Sequence, residues 1–267
     1  MLHRTSGDDP AGTLNATLSA IREAAGQGAT FILTPEVTNC VSTSRTHQQA
    51  VLQHEADDPT LAALRSEAAT LGVWVSVGSL ALKTDDPDGR FANRSFLIEP
   101  TGAITARYDK MHMFDVTVSD IETYRESAGY RPGDCAVVAQ TPFGRVGLSV
   151  CYDLRFAYLY RALAQAGADI LLIPSAFSPV TGAAHWEPLL RARAIETGCF
   201  VLAAAQTGEH SGRQTYGHSM AISPWGEVLL DMGTQNGVGV VDIDMQAVSD
   251  ARIRIAALTH DRTFEGP

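Results

Sequence analysis

The chain has 267 residues, of which 45% are hydrophobic and 19% charged, with a formal net charge of -10. These values describe a globular soluble protein with a core large enough to hold without disulfide staples. They argue against a nucleic acid partner, whose phosphates need clustered Lys and Arg.

In chain order, Met1-Leu2-His3-Arg4 runs at once into Gly7-Asp8-Asp9-Pro10, without the apolar stretch of a secretory signal. No apolar run is long enough to span a membrane. The expectation is a cytoplasmic chain with free thiols and no membrane partner, so the sequons at Asn15 and Asn93 carry no weight. Leu14, Leu18, Ile21 and Ala25 repeat at helical spacing, and Gly26 and Gly28 end that helix. Phe31-Ile32-Leu33 predicts a short strand closed by Pro35 and Glu36. A second helix starts at Asp58-Pro59, carries Leu61, Leu64, Ala68 and Leu71, and stops at Gly72. Val73 to Leu82 predicts a strand, and Arg90–Glu99 with Ile104–Tyr108 a hairpin around Pro100-Thr101-Gly102. Residues 111–134 are polar and read as loop. Ala136–Gln140 and Arg145–Val150 form a strand pair split by Pro142-Phe143-Gly144. Helices over Phe156–Ala166 and His185–Thr197 alternate with strands over Ile170–Ile173 and Phe200–Ala205. A hairpin over Ser219–Leu230, a last strand over Val238–Ile243 and a helix near Gln246–Ile255 follow. With no linker, repeat or composition break, residues 1–267 are expected to form a single α/β domain.

The four cysteines, Cys40, Cys135, Cys151 and Cys199, form no C-x-x-C pair, and no helical ligand pair such as H-E-x-x-H occurs. No metal or cofactor is therefore expected, and phosphate-loop motifs are absent. Cys151 differs from the other three in its setting. Val146, Leu148 and Val150 alternate on one strand face, while Gly147, Ser149 and Cys151 share the other, where small residues leave room beside the sulfur. A cysteine closing an apolar strand is often just a small buried hydrophobe. Glu36 at a strand end, Lys110 in Tyr108-Asp109-Lys110-Met111-His112 and Glu126 in a polar loop each have an equally ordinary reading as solvated charges. Together they match one chemistry. A cation favours the thiolate, and a carboxylate with its pKa raised by burial could take the thiol proton, return it to the departing amine and activate water. An ammonium and the Tyr152 backbone N–H could hold the oxyanion of the tetrahedral intermediate.

These segments resemble the carbon–nitrogen hydrolase (nitrilase-like) superfamily. Leu33-Thr34-Pro35-Glu36 is similar to its glutamate motif, Tyr108 to Asp115 to its lysine motif, and Gly147 to Phe156 to its cysteine motif. Pro174-Ser175-Ala176-Phe177, His185-Trp186-Glu187, Arg191 to Glu196 and Gly217-His218-Ser219 fit as well, so the resemblance spans nearly the whole chain. It implies a four-layer α-β-β-α sandwich, with Cys151 as nucleophile, Glu36 as general base, Lys110 and Tyr152 at the oxyanion, and Glu126 orienting Lys110 or the substrate amide. It also implies a homodimer or higher assembly, pairing through the helix after the cysteine strand and the Arg191–Glu196 segment. The family normally begins with an apolar strand, here represented by Met1 and Leu2 alone. Thr181 to Glu187 and Ala203-Ala204-Ala205-Gln206 look most like the Nit-type branch that hydrolyses deaminated glutathione. The implied reaction is hydrolysis of a small linear amide, such as a 2-oxo acid amide, to a carboxylate and ammonia through a thioester. The alternatives are omega-amidase activity on 2-oxoglutaramate or 2-oxosuccinamate, and a catalytically silent binding protein on the same fold. Phe177, Thr181 and Trp186 are expected at the pocket wall by analogy, with Arg155 near any substrate anion. A Cys–His hydrolase built on His112, His185 or His218 is the mechanistic rival.

Overall fold

The computed structural model describes residues 1–119 and 122–266. Helix α1 (Pro10–Gly26) follows a two-residue strand β1 (Leu2–His3), and its N-cap Asp9 accepts hydrogen bonds from the Ala11 and Gly12 backbone N–H groups. After β2 (Phe31–Leu33) comes a short helix α2 (Arg45–Val51), then α3 (Pro59–Leu71). Helix α3 is capped by Asp58 at one end and by Gly72 at φ 66° at the other, a left-handed stop that glycine adopts without strain. Strands β3 (Trp74–Leu82), β4 (Ala92–Ile98) and β5 (Ile104–Asp109) complete a four-stranded sheet in the order β2-β3-β4-β5. A hairpin of β6 (Asp115–Ser119) and β7 (Glu122–Arg125) follows.

The second sheet has six strands in the order β15-β14-β11-β10-β9-β8. They are β8 (Val137–Thr141), β9 (Gly144–Leu148), β10 (Ile170–Leu172), β11 (Phe200–Ala203), β14 (Met220–Ile222) and β15 (Val228–Asp231). Helix α4 (Ala157–Gln165) crosses from β9 to β10, and α5 (Pro179–Thr197) from β10 to β11, which leaves these three strands parallel. A separate hairpin, β12 (Thr207–His210) with β13 (Arg213–Tyr216), stands between β11 and β14 in the chain. Strand β16 (Gly237–Val238) pairs with β1, and α6 (Gln246–Arg254) comes last.

The core explains the layering. Ile21, Ala24, Leu61, Leu64 and Ala68 of α1 and α3 pack on Val75, Val77 and Phe96 of the four-stranded sheet. Leu159, Leu163, Leu190 and Ala194 of α4 and α5 pack on Val146, Ile170 and Val201 of the other. Each fully buried aliphatic side chain contributes roughly 1.5–3 kcal/mol. The remaining sheet faces meet through Leu33 and Tyr108, which belong to the same cluster as Val146, Leu148 and Ile170. The result is the expected α-β-β-α sandwich.

Several elements differ from their sequence-based expectation. The polar segment over 111–134 contains the β6–β7 hairpin, with residues 120 and 121 outside the described residues. The hairpin is held by backbone pairing, Asp115 with Arg125 and Val116 with Tyr124, which polar composition does not reveal. Helix α5 starts at Pro179 rather than His185, and the proline after Ser178 is the signal for that start. The last strand is confined to Gly237–Val238, and α2 and the β12–β13 hairpin were not anticipated.

Candidate active site

In the four-stranded sheet β2 and β3 are parallel, and β4 and β5 alternate, so β2 and β5 run the same way and end on the same side. Glu36 follows β2 and Lys110 follows β5. Cys151 follows β9, and Ala176 lies just past β10. All four line one cavity of about 460 Å³. The two sheets approach closely here. A Cβ on Gly78 of β3 would lie 2.6 Å from the Pro174 Cβ and closer still to the Thr34 carbonyl.

The charges form a buried chain. The Lys110 Nζ donates to Glu36 Oε1 at 2.9 Å and to both Glu126 oxygens at 2.9 Å. Glu36 Oε1 also accepts from Asn93 Nδ2 at 2.9 Å, and Oε2 from the Ala176 backbone N–H at 2.8 Å. Glu126 Oε2 is held by the Phe114 backbone N–H at 2.6 Å. Glu36 and Lys110 are 4% and 2% exposed, so this network is shielded from water and salt. Burial alone would neutralise Lys110, but Glu126 and Glu36 outweigh it and hold the ammonium charged well above the ordinary range.

Two electrostatic expectations are corrected. Burial pushes the Cys151 thiol up, and the Glu36 charge pushes the same way, against a smaller opposing pull from Lys110. Burial also pushes Glu36 up, but the charge and hydrogen bond of Lys110, with Arg213 and the Cys151 hydrogen bond, hold the carboxyl below its ordinary value. The resting site is thus a protonated thiol beside an ionised carboxylate and an ammonium, and not a thiolate beside a raised carboxyl. The small strand face is corrected as well: a Cβ on Gly147 would meet Leu171, Ala168 and Leu163, so packing fills that side. Cys151 reaches the cavity because the chain kinks after β9, with φ 49° at Cys151 itself.

The kink is overdetermined. The Cys151 backbone N–H donates to the Pro174 carbonyl at 2.9 Å. Buried Asp153 accepts from the Val150 backbone N–H at 2.8 Å, the Tyr108 hydroxyl at 2.6 Å and the His112 backbone N–H at 3.0 Å. Arg193 donates twice to the Leu154 carbonyl, at 2.7 and 3.0 Å. Its neighbour Arg191 faces away toward Gly226, as two residues on a helix must. Tyr152 is the second residue of the 3-10 turn over Cys151–Arg155, whose first internal bond is from the Asp153 N–H to the Val150 carbonyl, so the Tyr152 N–H precedes the first donor used within the turn.

Phe177 and Thr181 line the cavity as expected, whereas Trp186 and Arg155 do not. Trp186 is fully buried behind Phe177, 5.0 Å between ring centroids, with its Nε1 donating to the His218 carbonyl at 2.7 Å. The Arg155 guanidinium turns toward His185, 3.3 Å from its Nδ1. None of His112, His185 and His218 lines the cavity. His112 pairs with Asp153 at 2.6 Å and stacks on Phe156, and His218 pairs with Asp231 at 3.0 Å. Asn93 and Arg213 both line the cavity and were missed. Asn93 carries no signal beyond its sequon, and Arg213 sits in a segment with no motif of its own; Asn93 lies on β4, paired with β5, and Arg213 on β13, paired with β12, and both reach the cavity.

Comparison with known proteins finds relatives over nearly the whole chain. Residues 6–253 match the family described as "Carbon-nitrogen hydrolase". The deaminated glutathione amidase of Yersinia enterocolitica is 39% identical over 98% of this chain and 92% of its own length. The human deaminated glutathione amidase is 37% identical over 97% of this chain and 80% of its own. The crystal structure of the C. elegans NitFhit protein superposes with a TM-score of 0.90 at 34% identity, over 98% of this chain and 64% of that one.

Proposed function

The chain belongs to the carbon–nitrogen hydrolase family, and from that premise we propose that it is an amidase that cleaves 2-oxo acid amides, deaminated glutathione foremost, through a thioester on Cys151. The observation that carries this reading is the enclosure of Cys151, Glu36 and Lys110 in one cavity, with the carboxylate in reach of both the thiol and the ammonium. The sulfur attacks the amide carbonyl while Glu36 takes its proton. The new oxyanion faces Lys110 and the Tyr152 N–H. Collapse breaks the C–N bond, and Glu36 returns the proton to the departing amine. For deaminated glutathione that amine is cysteinylglycine; for a primary amide it is ammonia. Glu36 then activates water, which releases the acid and regenerates the thiol.

The hydrogen-bond count gives this sequence a coupling. An ammonium has three donors, and Lys110 already serves one oxygen of Glu36 and two of Glu126. Once Glu36 takes the thiol proton it loses its charge, and its bond to Lys110 weakens from a charge-assisted to an ordinary one. The Lys110 charge is then less compensated by Glu36 at the moment the oxyanion forms, and favours the oxyanion more strongly. Glu126 keeps the ammonium in place meanwhile, which makes it a positioning residue.

Among the relatives described above the amidase name is that of deaminated glutathione, and this favours that substrate over an omega-amidase reading. Assembly is inferred through α4 and α5, supported by Tyr158 and Ile195, which are 66% and 54% exposed there. Among the described residues no helix is long and apolar enough to cross a membrane, and the free thiols of Cys40, Cys135, Cys151 and Cys199 support a reducing, cytoplasmic site of action. Incubation with synthetic deaminated glutathione should release cysteinylglycine and 2-oxoglutarate, with a transient acyl mass on Cys151. Turnover that persists in Cys151→Ala refutes the reading, and a strong preference for 2-oxoglutaramate transfers it to the omega-amidase class.

A further inference from the structure

The chain carries a net charge of -10, yet its catalytic cavity is lined by four cations, Arg45, Lys110, Arg125 and Arg213, against two carboxylates, Glu36 and Glu126. An acidic protein that concentrates positive charge around its nucleophile selects for an anion. The four cations are not equivalent. Lys110 is committed to Glu36 and Glu126. Arg45 gives both terminal nitrogens to loop carbonyls, Gly129 and Gly89, and stacks on Phe91. Arg125 binds the Val116 and Tyr124 carbonyls and is exposed. Arg213 is steadied by one bond to the Ala176 carbonyl and by the Tyr124 ring, 5.7 Å from its guanidinium, and its Nε is buried with no hydrogen-bond partner.

A second orphan lies on the same cavity. The Thr181 Oγ1 is buried and unpartnered, in the first turn of the 19-residue helix α5. Leaving a buried donor unsatisfied is costly, so these two donors, on a cavity that also holds the unpartnered acceptor Asn93 Oδ1, require an explanation. The opening of this 19-residue helix also brings the positive end of its dipole to that wall, although Pro179 has no N–H and the Gly182 N–H is already bonded to the Ser178 carbonyl.

We propose that Arg213, Thr181 and the first turn of α5 form a carboxylate anchor that binds the acyl half of the substrate and selects amides whose acyl chain ends in an anion. This deepens the amidase reading above and rests on it for the identity of the acyl group. Arg213 acts near the reacting centre, since its charge is felt by Glu36 and its guanidinium bonds the residue whose N–H holds Glu36 Oε2. A short acyl chain therefore suffices to join the scissile carbonyl to the anchor.

The test separates anchor from catalysis. In protein carrying Cys151→Ser, 2-oxoglutarate and cysteinylglycine, the two halves of deaminated glutathione, are titrated by calorimetry. Arg213→Gln should weaken 2-oxoglutarate about ten- to hundredfold, the range for losing a hydrogen bond to a charged group, with no comparable effect on the dipeptide. Arg213→Lys should recover part of the loss, because charge remains and the fork is gone. In otherwise wild-type enzyme, the ratio of kcat/KM for 2-oxoglutaramate over neutral pentanamide should fall at least about tenfold in Arg213→Gln, and a few-fold in Thr181→Val, which keeps the volume. No binding of 2-oxoglutarate to the parent protein, an unchanged ratio, or a loss confined to cysteinylglycine each overturns the anchor. If 2-oxoglutarate binds through Arg213 while no 2-oxo acid amide is turned over, the proposed function falls and the anchor stands.

Discussion

Replacing Glu36 by Gln tests the centre of the site with almost no change in shape. The carboxylate accepts on both oxygens: Oε1 from Lys110 Nζ and Asn93 Nδ2, each at 2.9 Å, and Oε2 from the Ala176 N–H at 2.8 Å. An amide has one acceptor oxygen. Facing Lys110 and Asn93 with that oxygen sets its NH2 against the Ala176 N–H, and the flipped orientation sets the NH2 against two donors. Neither satisfies the pocket. The loss of one charge-assisted bond and one donor–donor conflict should cost about 2–4 kcal/mol, partly offset by relief of carboxylate desolvation. That corresponds to a melting temperature lower by roughly 4–10 °C. The effect on chemistry is larger. With no base, proton transfer fails in both acylation and deacylation, each worth about 10²–10⁴-fold. Rapid-quench mass spectrometry on Cys151 together with steady-state kcat separates the two steps. Full kcat in a folded Glu36→Gln protein refutes the assignment of the base.

Lys110→Met leaves Glu36 and Glu126 buried without their shared cation. It should cost about 3–5 kcal/mol of stability, read by urea unfolding, and the accompanying Glu126→Gln should recover part of that loss rather than add to it. Gly78→Ala drives a Cβ between the two sheets, 2.6 Å from Pro174, and should lower both stability, by at least about 1–3 kcal/mol, and kcat; a neutral outcome would mean the sheets can part there freely. His3 is fully buried, and burial, with His218 adding to it, lowers its pKa from 6.5 to about 4. Below 6.5 the unfolded chain therefore binds a proton that the folded one refuses, so stability should fall by about 3 kcal/mol as pH drops from 6.5 to 4. His3→Gln should flatten that stretch of the stability–pH curve, and an unchanged slope would count against it.

Sequence reasoning was strongest where a local rule acts. Asp58-Pro59 and Gly72 bracket α3 because capping and left-handed termination are decided within a few residues. The β4–β5 turn at Pro100-Thr101-Gly102 is equally local. The order of the glutamate, lysine and cysteine motifs placed Glu36, Lys110 and Cys151 at strand ends, and those strands do end there. It was weaker where partners lie far apart in the chain. Asn93 donates to Glu36 across 57 positions, and Arg213 reaches Ala176 across 37. Neither residue has a neighbour that announces it.

The identities and order of the reacting groups are written into short segments of chain, since each motif carries its own turn. Their protonation is not. Whether the thiol keeps its proton depends on how much water is excluded and which charges are brought alongside, and both are properties of two sheets meeting face to face. The same packing moves Trp186 behind Phe177, turns Arg155 toward His185 and brings Arg213 to the cavity wall. Electrostatic energy depends on distance through space and on the surrounding dielectric, and spacing along the chain specifies neither.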